Sequence, residues 1–213
     1  MNGSSFAPHD FARLDDSPDP LFYLEPRKVV HLDGAACNAV SDFLYGAVPL
    51  DAEVLDLLSS WRSHWPSELP KRRLVGLGLN AEEMAENPDL DSFLVHDVNA
   101  VPRLPLDDAS FDAVVITVSI QYLTQPVAVF RDVHRILRQG GLFAVLYSNR
   151  MFPTKAVAIW RRLSDGQRAD LIAAYLREAG GFAGIEFLNC SPPFPPNSDP
   201  LYVVRARKAP LVE

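Results

Sequence analysis

The chain has 213 residues, 48% of them hydrophobic and 22% charged, which is typical of a single globular domain with a sizeable core. Its formal net charge of −7 argues against a broad nucleic-acid surface, because phosphate contacts need clustered Lys and Arg. The sequence holds no stretch of roughly 20 apolar residues, no secretory signal and only two distant cysteines, so we expect a cytoplasmic protein without a membrane partner.

The first 50 residues differ in character from the rest. Residues 1–20 are rich in Pro, Asp and Ser, which predicts a mobile N-terminal arm. A single domain is expected over residues 21–213, and within it residues 21–50 are expected to form a cover and a helix. Asp33 is suited to cap that helix, which is predicted over residues 34–44.

Strands then alternate with helices. Apolar runs predict strands at residues 53–57, 73–79, 93–97, 111–119 and 142–147. Asn80 with Glu83 makes an N-x-x-E capping box that predicts a short helix between the second and third strands. Pro126 suits the first turn of a longer helix, which is predicted to end at a left-handed Gly140.

The C-terminal part is predicted to add one helix and a hairpin. Ser164 and Gln167 form a second capping box, and the helix that they begin is expected to end near residue 180. Residues 184–188 and 201–206 are suited to pair as antiparallel strands. The whole pattern predicts an α/β fold with a doubly wound, Rossmann-like, mostly parallel sheet, and such sheets bind ligands at the carboxyl ends of their strands.

Two segments resemble a known family. Leu104-Pro-Leu-Asp-Asp-Ala-Ser-Phe-Asp112, with the strand, helix and Gly140-Gly141 pair that follow, resembles the centre of class I S-adenosylmethionine-dependent methyltransferases, type 11-like. The segment that begins at Leu55, Leu-Asp-Leu-x-Ser-Ser-Trp-x-Ser-His-x-Pro, resembles the variant first motif of one subfamily. This resemblance covers about residues 54–206. It implies the class I methyltransferase fold, S-adenosylmethionine as cofactor and S-adenosylhomocysteine as product.

The resemblance assigns cofactor contacts to the ends of the first four strands. These positions are Asp56, Leu57, Ser59, Ser60, Trp61, Gly78, Asn80, Asp97, Val98, Ser119 and Ile120.

Two segments depart from the family's pattern, the turn after the first strand and the end of the second strand. Leu58, Ser59 and Ser60 replace a Gly-x-Gly turn, and a Cβ there blocks close backbone approach. Gly78 stands where an acid binds both ribose hydroxyls, so ribose is left to the amide of Asn80, which is equally suited to be only a helix cap.

The methyl acceptor is expected on the same edge of the sheet. Its predicted contacts are Tyr23, Arg27, Gln121, Tyr122, Asn149 and Arg150, with the N-terminal segment as a lid. Candidate catalytic residues are His31 and His64 as bases, together with Tyr122 and Arg150. The remaining histidines lack metal-ligand spacing, so no metal site is predicted.

Two functions of different classes fit these residues. The first is methyl transfer from S-adenosylmethionine to a small-molecule acceptor by in-line displacement, for which the protein mainly aligns the reactants. The alternative is a non-catalytic protein of the same fold that binds a ligand or partner, suggested by the altered turn and the missing acid. A nicotinamide oxidoreductase fits less well, because no Gly-x-Gly-x-x-Gly follows the first strand. The acceptor atom and the oligomeric state are not specified by the sequence.

Overall fold

A computed structural model describes residues 5–210 of the chain. Its centre is a seven-stranded sheet with the order β3-β2-β1-β4-β5-β7-β6. Its strands are β1 Ala52–Leu57, β2 Lys71–Gly78, β3 Ser92–Val95, β4 Phe111–Thr117, β5 Leu137–Tyr147, β6 Phe182–Asn189 and β7 Tyr202–Lys208. The first five strands pair in parallel, whereas β7 runs antiparallel to both β5 and β6. The predicted fold class and the C-terminal hairpin are therefore confirmed.

Helices cover both faces of this sheet. They are α1 Asp19–Phe22, α2 Gly34–Ala47, α3 Ala81–Ala85, α4 Pro126–Ile136, α5 Ala158–Arg162 and α6 Asp165–Ala179. The predicted caps form: Asp33 accepts from the backbone N–H of Ala36 at 2.8 Å, and Ser164 with Gln167 closes a capping box at α6. Within the described part of the chain, none of the helices has the length and apolar character that crossing a membrane needs.

Two apolar clusters hold the layers together. On one face, α4 and α6 pack Phe130 and Tyr175 against Phe143 and other strand residues. On the opposite face, α2 packs Val40 and Leu44 against the strands. Because side chains of a strand alternate between faces, each central strand contributes to both clusters, and the strand ends are fixed in register.

The prediction that a helix runs to Gly140 is wrong. Helix α4 ends at Ile136, and Gly140 has the expected left-handed backbone, φ +72°, but within β5 at an irregularity in its pairing with β4. The preceding Arg138 is bonded to Glu53 at 2.5 Å and to Asp112 at 2.6 Å. These ion pairs, with the buried side chain of Leu137, hold the segment against the sheet rather than in the helix.

Residues 5–20, for which the sequence predicts a mobile arm, lie against the domain in this structure. The ammonium of the fully buried Lys155 donates to the carbonyl of Ser17 at 2.6 Å and lies 3.4 Å from the carboxylate of Asp19. Asp19 also accepts from Arg13 at 2.6 Å. A buried ammonium requires such partners, so Lys155 fixes this segment beside α1. Residues 1–4 and 211–213 lie outside the described part.

Removal of the buried ammonium should weaken the fold. We expect Lys155→Ala to lower the free energy of unfolding by about 1–3 kcal/mol, because the carbonyl of Ser17 loses its buried donor, whereas Asp19 keeps Arg13 and Asn99. Urea unfolding measures this change. Lys28→Ala is the control, since Lys28 is an exposed residue that pairs with Glu82 and Glu86 at 2.8 Å and should contribute little. Equal losses in the two variants would contradict this role of Lys155.

Candidate functional site

An open cleft lies at the carboxyl ends of β1, β2 and β4, beside the segment that precedes α2. The unfilled space in and in front of it is about 1130 Å³, which includes the part that is open to solvent. Predicted cofactor positions that line it are Asp56, Ser59, Ser60, Gly78, Asn80, Asp97, Val98 and Ser119. Predicted acceptor and catalytic positions that line it are Tyr23, Arg27, His31, His64 and Tyr122.

Other predicted contacts do not line the cleft. Leu57 and Ile120 belong to the core on the α4 face, because Leu57 alternates with Asp56 along β1. The ring of Trp61 lies 3.6 Å from the guanidinium carbon of Arg62. Gln121 is buried, and its amide donates to the carbonyls of Val118 and Arg150. These side chains form the walls behind the cleft.

Three cleft residues have strained backbones. Leu58, His64 and Val118 have φ values of +64°, +56° and +46° without being glycine. Such conformations cost on the order of 1–3 kcal/mol each, and they cluster where a site imposes a particular backbone. Leu58 occupies the first position of the expected Gly-x-Gly turn, so the turn keeps the left-handed conformation even though the glycine is absent.

The turn after β1 is held by a buried carboxylate. Oδ2 of Asp56 accepts hydrogen bonds from the hydroxyls of Ser59 and Ser63, each at 2.6 Å. Asn87 donates to Ser63 at 3.0 Å and to the carbonyl of Ser60 at 2.9 Å. Burial raises the pKa of Asp56 to about 6, although the two serine bonds lower it. The hydroxyls of Ser59 and Ser63 are therefore directed to Asp56.

Gly78 allows the turn to pack on the end of β2. The N–H of Ser59 donates to the carbonyl of Leu77 at 2.9 Å. A Cβ at Gly78 would lie under 3.0 Å from the Ser59 carbonyl oxygen, closer than real Cβ atoms come. No acidic side chain fits here, so the replaced glycines and the missing acid are one coupled change.

Asn80 and Glu83 face the cleft from the start of α3. Oδ1 of Asn80 accepts from the N–H of Glu83 at 3.0 Å, and its amide donates to the carbonyl of Tyr23 at 2.8 Å. Asn80 thus caps α3 and binds the N-terminal segment, and its role toward ribose stays a prediction. The carboxylate of Glu83 does not complete the box. It accepts from the N–H of Arg27 at 2.6 Å and from the hydroxyl of Ser60.

Asp97 follows β3 at the far end of the cleft. Its Oδ1 accepts from the backbone N–H groups of Asn99 and Ala100 at 2.9 and 3.2 Å. Within residues 5–210, Oδ2 of Asp97 has no hydrogen-bond donor, and the apolar Val98 lies beside it in the cleft wall. Asp97 is thus an ordered carboxylate with one oxygen available, as an amino group of a nucleobase would need.

The N-terminal segment covers the other end of the cleft with aromatic rings. The guanidinium of Arg27 lies 4.1 Å from the ring centroid of Phe22, and the ring of His31 meets Phe152 edge-on at 5.2 Å. Desolvation lowers the pKa of His31 and that of His64, while burial raises the pKa of Tyr122. Near neutral pH, both imidazoles and the phenol are consequently uncharged.

A second hollow adjoins the cleft. His31, Val118, Tyr122 and Phe152 line both spaces, and Arg150 lines only the second. Nε of Arg150 donates to Asp199 at 2.8 Å. Asn149 is exposed and lines neither space. The shared wall marks the place where a ligand in the cleft and one in the hollow would meet.

Comparisons with known proteins agree with this geometry. A family model described as a methyltransferase domain matches residues 69–145. No curated protein sequence matches the chain significantly. An S-adenosylmethionine-dependent methyltransferase from Mesorhizobium loti has a similar structure, with a TM-score of 0.57, 19% identity, and 82% of this chain and 100% of that chain covered.

Two further solved structures share the fold. Burkholderia thailandensis 1,6-didemethyltoxoflavin-N1-methyltransferase, with bound 1,6-didemethyltoxoflavin and S-adenosylhomocysteine, has a TM-score of 0.59 at 18% identity over 84% of this chain and 80% of that chain. The 4+2 cyclase SpnF has a TM-score of 0.61 at 15% identity over 87% and 86%. These likenesses establish the fold. The domain match covers residues 69–145, and the variant first motif stays a prediction.

The buried carboxylate at the end of β1 makes stability depend on pH. The folded-state pKa of Asp56, about 6, lies above its ordinary value of 3.8, so the folded protein binds the proton more tightly than the unfolded chain. Stability from this group is therefore gained as the pH falls through 6 toward 4, by on the order of 3 kcal/mol. Asp56→Asn should remove that gain.

Urea unfolding of the original protein and of Asp56→Asn at pH 7.0 and 4.5 tests this. Other carboxylates titrate alike in both proteins, so the difference between their free energies of unfolding isolates Asp56. We expect this difference to move in favour of the original protein at the lower pH. A difference that is the same at both pH values would show that Asp56 has an ordinary pKa.

Proposed function

We propose that this chain, which has the class I methyltransferase fold and carries a methyltransferase-domain sequence at residues 69–145, transfers a methyl group from S-adenosylmethionine to a small molecule. The single observation that best supports this is the cleft at the carboxyl ends of β1, β2 and β4, lined at one end by Asp97 and Val98 and at the other by an uncharged His31 and Tyr122. A nucleoside and an acceptor need just such different surroundings.

The residues of the cleft fit the proposed cofactor. Asp97 offers a free carboxylate oxygen for the adenine amino group, and Val98 offers an apolar surface for the ring. Ser119 and the backbone of the turn after β1 lie where the methionine part would be held, since the serines of that turn point toward Asp56 and Glu83. When bound, S-adenosylmethionine supplies a methyl group on a sulfonium, which a nucleophile can displace in line.

We place the acceptor in the adjoining hollow, against the shared wall of His31, Val118, Tyr122 and Phe152. Tyr122 is held by its hydroxyl, which accepts from the N–H of Phe152 at 2.8 Å. The neutral imidazole of His31 is suited to accept a proton from an acceptor that must lose one. Arg150 is suited to hold an anionic group of the acceptor at the outer end. Alignment of the acceptor with the methyl group is the main contribution of these residues.

The aromatic wall and the net charge of −7 favour a metabolite-sized acceptor over a nucleic acid. The N-terminal segment, fixed by Lys155 and Arg27, would keep water from the reacting atoms. A cytoplasmic location belongs to the same proposal, because it fits the thiols of Cys37 and Cys190, which are free.

A second candidate function is ligand binding or another reaction on the same fold. The similar fold of the 4+2 cyclase SpnF favours it, because a fold alone does not determine the chemistry. The replaced Gly-x-Gly turn also favours this second function. A protein that binds neither S-adenosylmethionine nor S-adenosylhomocysteine must have the second function, since a methyltransferase binds both.

Isothermal titration calorimetry of the full chain with S-adenosylhomocysteine tests the proposal. We expect saturable binding, and we expect Asp97→Ala to weaken it about 5- to 30-fold, the loss of one charge-assisted hydrogen bond. Asp107→Ala is the matched control, because Asp107 is exposed and lies outside the cleft.

Absence of heat at high concentrations of both S-adenosylmethionine and S-adenosylhomocysteine would favour the non-catalytic alternative. Unchanged affinity in a folded Asp97→Ala protein would instead exclude Asp97 from the site and leave the proposed function standing.

A further inference from the structure

The end of β2 cannot supply an acid to a ribose in this protein. Gly78 occupies the position, and the carbonyl of Ser59 fills the space that a side chain would need. Any carboxylate that binds the two ribose hydroxyls must therefore come from another element of the cleft.

Four carboxylates line the cleft: Asp19, Asp56, Glu83 and Asp97. Asp19 is engaged by Arg13, Lys155 and Asn99, and Asp56 is engaged by two serines behind the turn. Asp97 lies at the end of β3, on the far side of β2 from β1. Only Glu83 stands directly after β2 and beside the turn, where the missing acid would have been.

Glu83 is buried, with 4% of its surface exposed, yet it lies in the first turn of α3 and faces the cleft. Oε1 accepts one hydrogen bond, from the N–H of Arg27 at 2.6 Å, and Oε2 accepts one, from the hydroxyl of Ser60. Each carboxylate oxygen has two acceptor sites, so both oxygens keep one for a ligand. These two bonds orient the carboxylate without satisfying it.

We propose that Glu83 binds the two ribose hydroxyls of the cofactor, so that the ribose-binding acid is displaced from the end of β2 to the first turn of α3. This inference rests on the proposed function. The turn after β1 is the physical cause of this displacement. It packs on Gly78, which excludes an acid at that position, and the hydroxyl of Ser60 orients the carboxylate of Glu83. Asn80 is unsuited to the task because its amide already donates to the carbonyls of Tyr23 and Leu24.

The test compares two ligands on two variants of the full chain. Calorimetry measures the affinity of S-adenosylhomocysteine and that of its analogue without the 2′ and 3′ ribose hydroxyls. We expect the original protein to prefer S-adenosylhomocysteine by about tenfold or more, the effect of charge-assisted hydrogen bonds. Glu83→Gln should lose most of this preference.

Glu82→Gln is the matched control, because Glu82 precedes Glu83 on the same helix, is exposed and pairs with Lys28 at 2.8 Å. It should keep the full preference. Glu83→Asp provides a second variant if Glu83→Gln does not fold: its shorter carboxylate should also lose the preference, and urea unfolding verifies the fold of each protein.

Equal weakening of both ligands by Glu83→Gln would overturn the proposal, since a residue that only holds Ser60 and Arg27 does not distinguish the hydroxyls. A full preference in either folded Glu83 variant would overturn it as well. Both results leave the proposed function intact, whereas failure of the original protein to bind S-adenosylhomocysteine would end both proposals.

Discussion

The close packing of the turn after β1 on the end of β2 is the constraint from which the rest of the site follows. Ser59 donates to the carbonyl of Leu77, and only a glycine at position 78 leaves room for the Ser59 carbonyl. The turn that makes this contact has a left-handed backbone at Leu58, which costs free energy. The bonds from Ser59 and Ser63 to Asp56 offset this cost, so a strained turn without glycines is kept in one conformation.

Buried carboxylates hold the remainder of the cleft together through ion pairs and hydrogen bonds. Asp19 with Lys155, and Glu83 with the backbone of Arg27, connect the N-terminal segment to the domain at two places. Asp19 and Glu83 have charged or hydrogen-bonding partners, whereas His31 and Tyr122 of the shared wall are neutral near pH 7, because desolvation lowers the pKa of His31 and raises that of Tyr122. The cleft thus has carboxylates near the strand ends, and aromatic side chains together with the Arg27 guanidinium at the N-terminal segment. Such a division suits a nucleoside cofactor beside a small acceptor.

The same fold supports more than one chemistry, as the methyltransferases and the 4+2 cyclase with similar structures illustrate. What distinguishes this chain is local: serines at the turn, a glycine at the end of β2 and a carboxylate in the first turn of α3. These differences are linked by contacts, so they describe one rearranged site better than a series of independent losses.

The sequence by itself determined the sheet and the caps at Asp33 and Ser164, because apolar periodicity and capping residues act locally. It also indicated Asp56, Asp97, His31 and Tyr122, which line the cleft. Only the tertiary structure decided that Gly140 lies in a strand, that Asp15, Ser17 and Asp19 surround Lys155, and that Glu83 turns into the cleft instead of closing its capping box. Those outcomes depend on partners far away in the chain, such as Glu53, Ser17 and Ser60, and such pairings arise only when the elements have packed.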